Sequence, residues 1–153
     1  MFRRIVVATD FSETAETAWA VAMDLALTHQ SEVVLAHVFV DLPVYPEVAV
    51  VAVQRVWEEQ REWVEGALGE RVAAARGRGV QARWLLKTGS PTEGIVEAAR
   101  EEAADLLVVG THGRSGVSRL VIGSVAERVV RSAPCPVLIV KPQPRREAGQ
   151  VAA

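Results

Sequence analysis

A single doubly wound α/β sheet, mostly parallel and covered by helices on both faces, is the fold class that the sequence predicts. Three observations predict it. Short apolar runs alternate with helix-like patterns from one end of the chain to the other. Most of those runs are apolar on both faces, as strands sandwiched between helices must be. The 153 residues suit one core and one domain. The domain is expected over residues 1–142. The polar, proline-broken segment 143–153 is expected to be a disordered tail.

The elements follow in order. "RIVVATD" (4–10) is a short apolar run closed by an acid, so it predicts a strand with Ile5, Val6, Val7 and Ala8 inside. Ser12 is placed to cap a helix whose apolar stripe is Ala15, Ala18, Trp19, Ala22, Leu25 and Ala26. "EVVLAHVFV" (32–40) predicts a second buried strand, and "DLPVYPEV" (41–48) a loop. A long helix follows. Its stripe is Val53, Val56, Trp57, Gln60, Val64, Ala67, Leu68, Arg71, Val72 and Ala75, and Gly77 and Gly79 stop it. "VQARWLLK" (80–87) alternates at first and predicts a strand nearer a sheet edge. "SPTE" (90–93) predicts a capping box, with Ser90 as N-cap, Pro91 at the first helical position and a helix to about Ala104. "DLLVVG" (105–110) predicts a fourth buried strand. Ser124 and Glu127 form a second capping box for a helix to about Ser132, and Val137 to Lys141 supply a fifth strand. If the first and fourth strands are neighbours at the point where strand order reverses, Asp10 and Gly110 open into one crevice.

Composition excludes several function classes. Half of the residues are hydrophobic, 24% are charged and the net charge is -2, which describes a globular chain without the basic excess of a nucleic-acid or membrane-surface binder. The one cysteine, Cys135, excludes an internal disulfide framework and favours a reducing compartment. The first apolar run stops at Asp10, too early for a signal-peptide core or a membrane span. A cytoplasmic protein is expected.

The chemistry concentrates in the stretch from Gly110 to Val125. Gly110 and Gly113 remove side chains where the chain leaves a strand, and successive N–H groups there can form an anion-binding concavity. Gly123 and Ser124 stand at a helix entrance, where unpaired N–H groups and about half a positive charge of helix dipole point outward. Arg114 and Arg119 add cationic forks. These parts suit a phosphate site; a plain connection with helix-capping glycines is the alternative reading. No Gly-Lys-Ser/Thr ending of a P-loop is present. "GRGVQA" (77–82) imitates a dinucleotide fingerprint but precedes its strand. Asp10 has two readings as well: a carboxylate for ribose hydroxyls, or a cap for the first helix acting with Ser12.

The spacing Gly110-x2-Gly113-x9-Gly123-Ser124 resembles the glycine signature of the nucleotide-binding universal stress proteins. "RIVVATDFSETAETAWAVAMDLA", "VVLAHVF", "GSPTEGIVEAAREEAADLLVVGTHGRSG" and "SAPCPVLIVK" extend the resemblance over roughly residues 3–141. The resemblance implies an open five-stranded sheet in the order 3-2-1-4-5 that binds ATP, ADP or AMP. It implies that Ala8, Thr9 and Asp10 end the first strand, with Asp10 on the ribose hydroxyls and Thr9 near the nucleotide. Val38 would contact adenine, and Val109 and Gly110 would line the ribose. His112, Gly113 and Arg114 would reach the phosphates, with Gly123, Ser124 and Val125 wrapping their far side. Many members carry proline where this chain has Ala8. Mg2+ would arrive with the nucleotide, held by phosphate oxygens and water. The resemblance also implies a homodimer through antiparallel pairing of the last strands, Val137 to Val140, which fits an apolar strand at a sheet edge.

Other residues invite weaker readings. His29, His37 and His112 are too scattered for a metal site. His29 suits a helix C-terminus, and His37 reads as a satisfied core histidine. Cys135 has no base placed beside it, so a catalytic thiol is not expected. Trp19 and Trp57 read as packing residues, whereas Trp63 falls off the helical stripe. Functionally, the expectation is an adenine-nucleotide-binding stress-response protein acting as a regulatory switch. The alternatives are a slow ATPase, and an interaction protein of the same fold that binds no nucleotide.

Overall fold

Each strand of the protein buries alternate residues into one of two separate cores, and this is what stacks the layers. The computed structural model describes residues 1–40, 50–111 and 123–142. Its elements are β1 (Arg4–Ala8), α1 (Glu13–His29), β2 (Glu32–Phe39), α2 (Val50–Gly77), β3 (Gln81–Thr88), α3 (Pro91–Glu101), β4 (Leu106–Gly110), α4 (Ser124–Ser132) and β5 (Val137–Val140). On one face Ile5, Val7, Val33 and Leu35 meet Ala18, Ala22 and Met23 of α1 and Val64, Leu68 and Val72 of α2. On the other, Val6, Ala8, Val34 and Ala36 meet Ile95, Ala98 and Ala99 of α3 and Ala126 and Val129 of α4. Each fully buried aliphatic side chain contributes about 1.5–3 kcal/mol, and both faces of β1 are used.

The five strands are parallel in the order β3-β2-β1-β4-β5. β1 pairs Val7 with Leu35 on one side and Val7 with Val108 on the other. The chain therefore winds outward from β1 to β2 and β3, then restarts at β4 on the opposite flank. The switch point lies between β1 and β4, whose carboxyl ends are Ala8 and Gly110. β3 and β5 are the two edges, as their patterns predict.

Two boundaries and one capping bond differ from the sequence reading. α3 stops at Glu101, three residues before the expected end. Ala103 takes a left-handed conformation (φ 48°) and the Ala104 N–H reaches back to the Ala99 carbonyl at 2.9 Å, so alanine fills the place a stop glycine would have marked. Ser90 occupies the N-cap of α3, but its side chain makes no capping bond, and the Gly94 N–H meets the Ser90 carbonyl instead. The expected box with Glu93 is thus a positional cap only. α4 begins one residue earlier in its cap than predicted: Gly123 is the N-cap and Ser124 the first helical residue. Glu127 then turns to Arg131 at 2.8 Å rather than closing a box. Ser12, by contrast, caps α1 as predicted, its Oγ accepting from the Ala15 N–H at 3.2 Å. The predicted loop 41–48 and the tail 143–153 lie outside the described residues.

α2 is longer than the sheet it covers. Its 28 residues span about 42 Å, against about 26 Å for the 8-residue β2. Val64, Leu68, Val72 and Ala75 are buried, while Val56 and Gln60 of the predicted stripe are exposed. The first turns of α2 overhang the carboxyl edge of the sheet. There Trp57 packs edge-on against Phe39, with ring centroids 5.0 Å apart.

Candidate functional site: a cleft at the sheet switch point

The cleft starts from the last residues of β1. The Thr9 N–H donates to the Ala36 carbonyl at 2.9 Å, and His37 Nδ1 donates to the Thr9 carbonyl at 2.8 Å. The Thr9 hydroxyl accepts from the Phe11 N–H at 3.0 Å. These bonds tie the end of β1 to β2 and bury Thr9. His37 is thus a core histidine satisfied by main chain, as the sequence suggests. Asp10 follows, and its Oδ1 accepts from the Ser12 N–H at 3.0 Å. Asp10 thus organises the start of α1 and also lines the cleft.

Phe11 holds this turn in place. It sits at φ 63°, in the left-handed region that a bulky residue seldom enters. Its ring is enclosed by His37 at 4.9 Å, by Trp63 of α2 at 5.2 Å and by the Arg71 guanidinium at 5.0 Å. Arg71 is itself fixed by Glu16 of α1, with Nε 2.8 Å from the carboxylate. Trp63 lies off the buried stripe, 56% exposed, as its position predicts. Its edge-on contact with Phe11 is not legible from spacing.

The opposite wall comes from β4 and α4. Val109, Gly110 and Thr111 line the cleft from β4, and Gly123, Ser124 and Val125 line it from the start of α4. The Gly123 N–H donates to the Thr111 carbonyl at 2.7 Å, and the Thr111 N–H to the Val140 carbonyl at 2.9 Å. The helix entrance is thereby held at the strand end. The N-cap, Gly123, has no side chain to place over the first turn of α4, and that turn lines the cleft, so the positive end of the helix dipole lies at the cleft. Gly110 has an additional, internal reason to be glycine. A Cβ there would stand 3.0 Å from Thr14 Cγ2 and 3.2 Å from the Thr14 carbonyl carbon, so the first turn of α1 presses directly on the end of β4. The contact with Thr14 was not part of the sequence reading, which gave Gly110 to the close approach of a ligand or to a plain connection.

Apolar residues close the remaining end. Ala8, Ala36 and Val38 of the sheet face Ile95 of α3 across it. Of the residues predicted for the site, Ala8, Thr9, Asp10, Val38, Val109, Gly110, Gly123, Ser124 and Val125 all line this one cleft. His112, Gly113 and Arg114 lie outside the described residues. Ala15, Ala36, Ile95, Thr111 and Ala126 also line it and were missed. Ala36 was within reach, because it lies two residues before Val38 and shares its face. Thr111 was within the signature itself. Ile95 carried no local signal, since its position depends on how α3 packs.

Cys135 belongs elsewhere. It is half-buried under α3 and α4, and burial pushes its thiol above the usual range. A raised value favours the protonated thiol over the nucleophilic thiolate. Among the described residues no group of His, Cys, Asp and Glu is arranged to hold a metal ion, and no helix is long and apolar enough to cross a membrane.

A doubly wound sheet with a partly apolar cleft at its switch point, an acid on one lip and a helix N-terminus on the other, is the α/β architecture whose ligand sites lie at this point. The particular family is shown by comparison with known proteins. Residues 1–141 match the Universal stress protein family, and the chain belongs to it. It is 36% identical over 152 residues to the universal stress protein MJ0531 of Methanocaldococcus jannaschii, covering 96% of this chain and 86% of that one. Among solved structures, it is similar to a universal stress protein in complex with cAMP, with TM-score 0.70 and 27% identity, covering 93% of this chain and 99% of that one. It is also similar to the universal stress protein from Archaeoglobus fulgidus in complex with dAMP, with TM-score 0.65 and 26% identity, covering 91% and 98%.

Proposed function

We propose that this protein binds an adenine nucleotide, ATP in the first place, and acts as a nucleotide-dependent regulatory switch in a cytoplasmic stress response. One observation carries the reading: an apolar end, the Asp10 carboxylate and the N-terminus of α4 lie around a single cleft at the switch point. The three parts match the three parts of a nucleotide. The base takes the apolar end beside Val38, with Ala8 beneath it. The ribose lies between Asp10 and the Val109–Gly110 wall, near Thr9. The phosphates take the N–H groups of Gly123, Ser124 and Val125, together with His112, Gly113 and Arg114. The complexes of the similar proteins with cAMP and dAMP support the same ligand class. Mg2+ would enter on the phosphate oxygens. Asp10 is the one carboxylate lining the cleft among the described residues, so the protein's share of the metal's ligands is small and water supplies the rest. The half-buried edge strand β5 supports a homodimer through Val137 to Val140.

The test is to release any nucleotide carried by the purified protein, then titrate ATP, ADP, AMP and cAMP with and without Mg2+. Saturable ATP binding with no ADP formed is the expected result. ADP formation that is lost in Asp10→Ala would favour the slow ATPase, and no binding at all would leave the interaction protein. Gly113→Val is expected to weaken ATP binding by at least about a hundredfold, because a side chain fills phosphate space, while Tm stays within a few degrees. Unchanged affinity in that variant would count against the phosphate assignment.

A further inference from the structure

The width of the cleft's apolar end depends on a residue that does not line it. α3 crosses the end of β2 at Gly94. A Cβ placed on Gly94 would lie 2.7 Å from Val38 Cγ2, 3.0 Å from Val38 Cγ1 and 3.5 Å from Lys87 Cβ. The first of these is closer than side-chain carbons pack, so any residue with a side chain at 94 forces a displacement.

Three groups meet there, and two are held. α3 is anchored by its buried Ile95, Val96, Ala98 and Ala99 and by Lys87, whose Nζ lies 2.6 Å from the Glu101 carboxylate. The β2 backbone is registered against β3, with Val38 opposite Lys87, and is tied to β1 through the Thr9–Ala36 bond. What can move is the isopropyl group of Val38. The open volume next to it is the cleft, which it lines together with Ala36 and Ile95.

We propose that Gly94 is a positioning residue for the base end of the cleft: by carrying no side chain it lets Val38 stand back and keeps the slot wide enough for a purine. This rests on the nucleotide reading above. Gly94 needs no unusual backbone here, since it lies within α3. Alanine would favour the helix on intrinsic propensity, so the glycine is retained at a local disadvantage that the slot explains.

The experiment is a double-mutant cycle read by ATP affinity, with Tm measured in parallel. Gly94→Ala is expected to weaken ATP binding by about tenfold or more, the scale of a one-methyl misfit in a close-fitting pocket. Val38→Ala alone weakens binding through lost contact. In the Val38→Ala background the further Gly94→Ala change is expected to alter affinity by less than about twofold, because the methyl has nothing left to push. A crystal structure of Gly94→Ala is expected to show Val38 turned into the cleft. Affinity unchanged in Gly94→Ala overturns the proposal, as does an equal loss in both backgrounds or a crystal with Val38 in place and α3 displaced. Absence of ATP binding in the unsubstituted chain is a different failure: it removes the nucleotide reading, and this inference with it.

Discussion

Two glycines in this protein are there because another part of the chain comes too close. Gly110 accommodates Thr14 of α1, and Gly94 accommodates Val38 of β2. The consequences differ with the mobility of the neighbour. At Gly110 the contact includes Thr14 main chain, which cannot rotate away. Gly110→Ala is therefore expected to destabilise the fold by about 1–3 kcal/mol, an overpacking cost, and a denaturant melt checks it. Phe11 is the third residue whose meaning emerges only in three dimensions. Its positive φ costs about 1–3 kcal/mol, and the enclosing His37, Trp63 and Arg71 hold it there. The glycine signature and Asp10 could be read from residue type and spacing alone. Phe11, Gly94 and the Thr14 contact could not, because each depends on where a distant element packs.

At the scale of elements, three serines were expected to cap helices; Ser124 is the first helical residue instead, and the other two behave differently. Ser12 bonds the first turn of α1 and Ser90 makes no side-chain bond to α3. Ser12→Ala is expected to cost about 1 kcal/mol and Ser90→Ala no more than a few tenths. Paired thermal melts separate the two cases. Equal effects would mean that the geometry at one of the caps is misassigned. The strands were legible from sequence because a strand buried on both faces must be an unbroken apolar run. Helix ends were less so: α3 stops at Glu101 and is followed by left-handed Ala103, which carries no composition cue, and α2 outruns its sheet, so its stripe continues past the surface it covers. Trp63 stood out from that stripe by spacing, yet its contact with Phe11 depends on how α2 packs against the end of β1.

Over the whole molecule, the two rims of the sheet do different work. The carboxyl rim holds the cleft. The amino rim holds a chain of ion pairs in which Glu32 bridges Arg4 at 2.9 Å and Arg83 at 2.8 Å, and Arg83 also grips Glu102. Asp105 accepts from the N–H groups of Arg3 and Arg4 at 2.8 and 2.9 Å. The Arg83 hydrogen bonds hold Glu102 below its ordinary value of 4.5. For Glu32, burial pushes upward but the bonds from Arg83 and Arg4 outweigh it, so it too is lowered from 4.5. Carboxylates with lowered values contribute stability that is complete above the ordinary value and is lost as pH falls through the lowered one. Tm is thus expected to be flat near neutrality and to fall as the pH drops below about 4.5. Glu102→Gln is expected to cost about 1–2 kcal/mol at pH 7, allowing for screening of the part-exposed Arg83. The variant should also flatten the acid limb. A limb of unchanged steepness would place the acid-sensitive groups elsewhere. Nucleotide affinity near pH 7 should be indifferent to that variant, since the network and the cleft lie at opposite ends of the strands.

The short bond between the Gly123 N–H and the Thr111 carbonyl has a practical meaning for anyone who would re-engineer this domain. Strand β4 hands the chain over, and helix α4 takes it back, through one doorway. Whatever is exchanged between those two posts begins and ends at points the frame itself holds together, and the entropy of closing a longer connection between such ends grows only slowly. This makes the segment between them the natural graft point for a foreign ligand specificity.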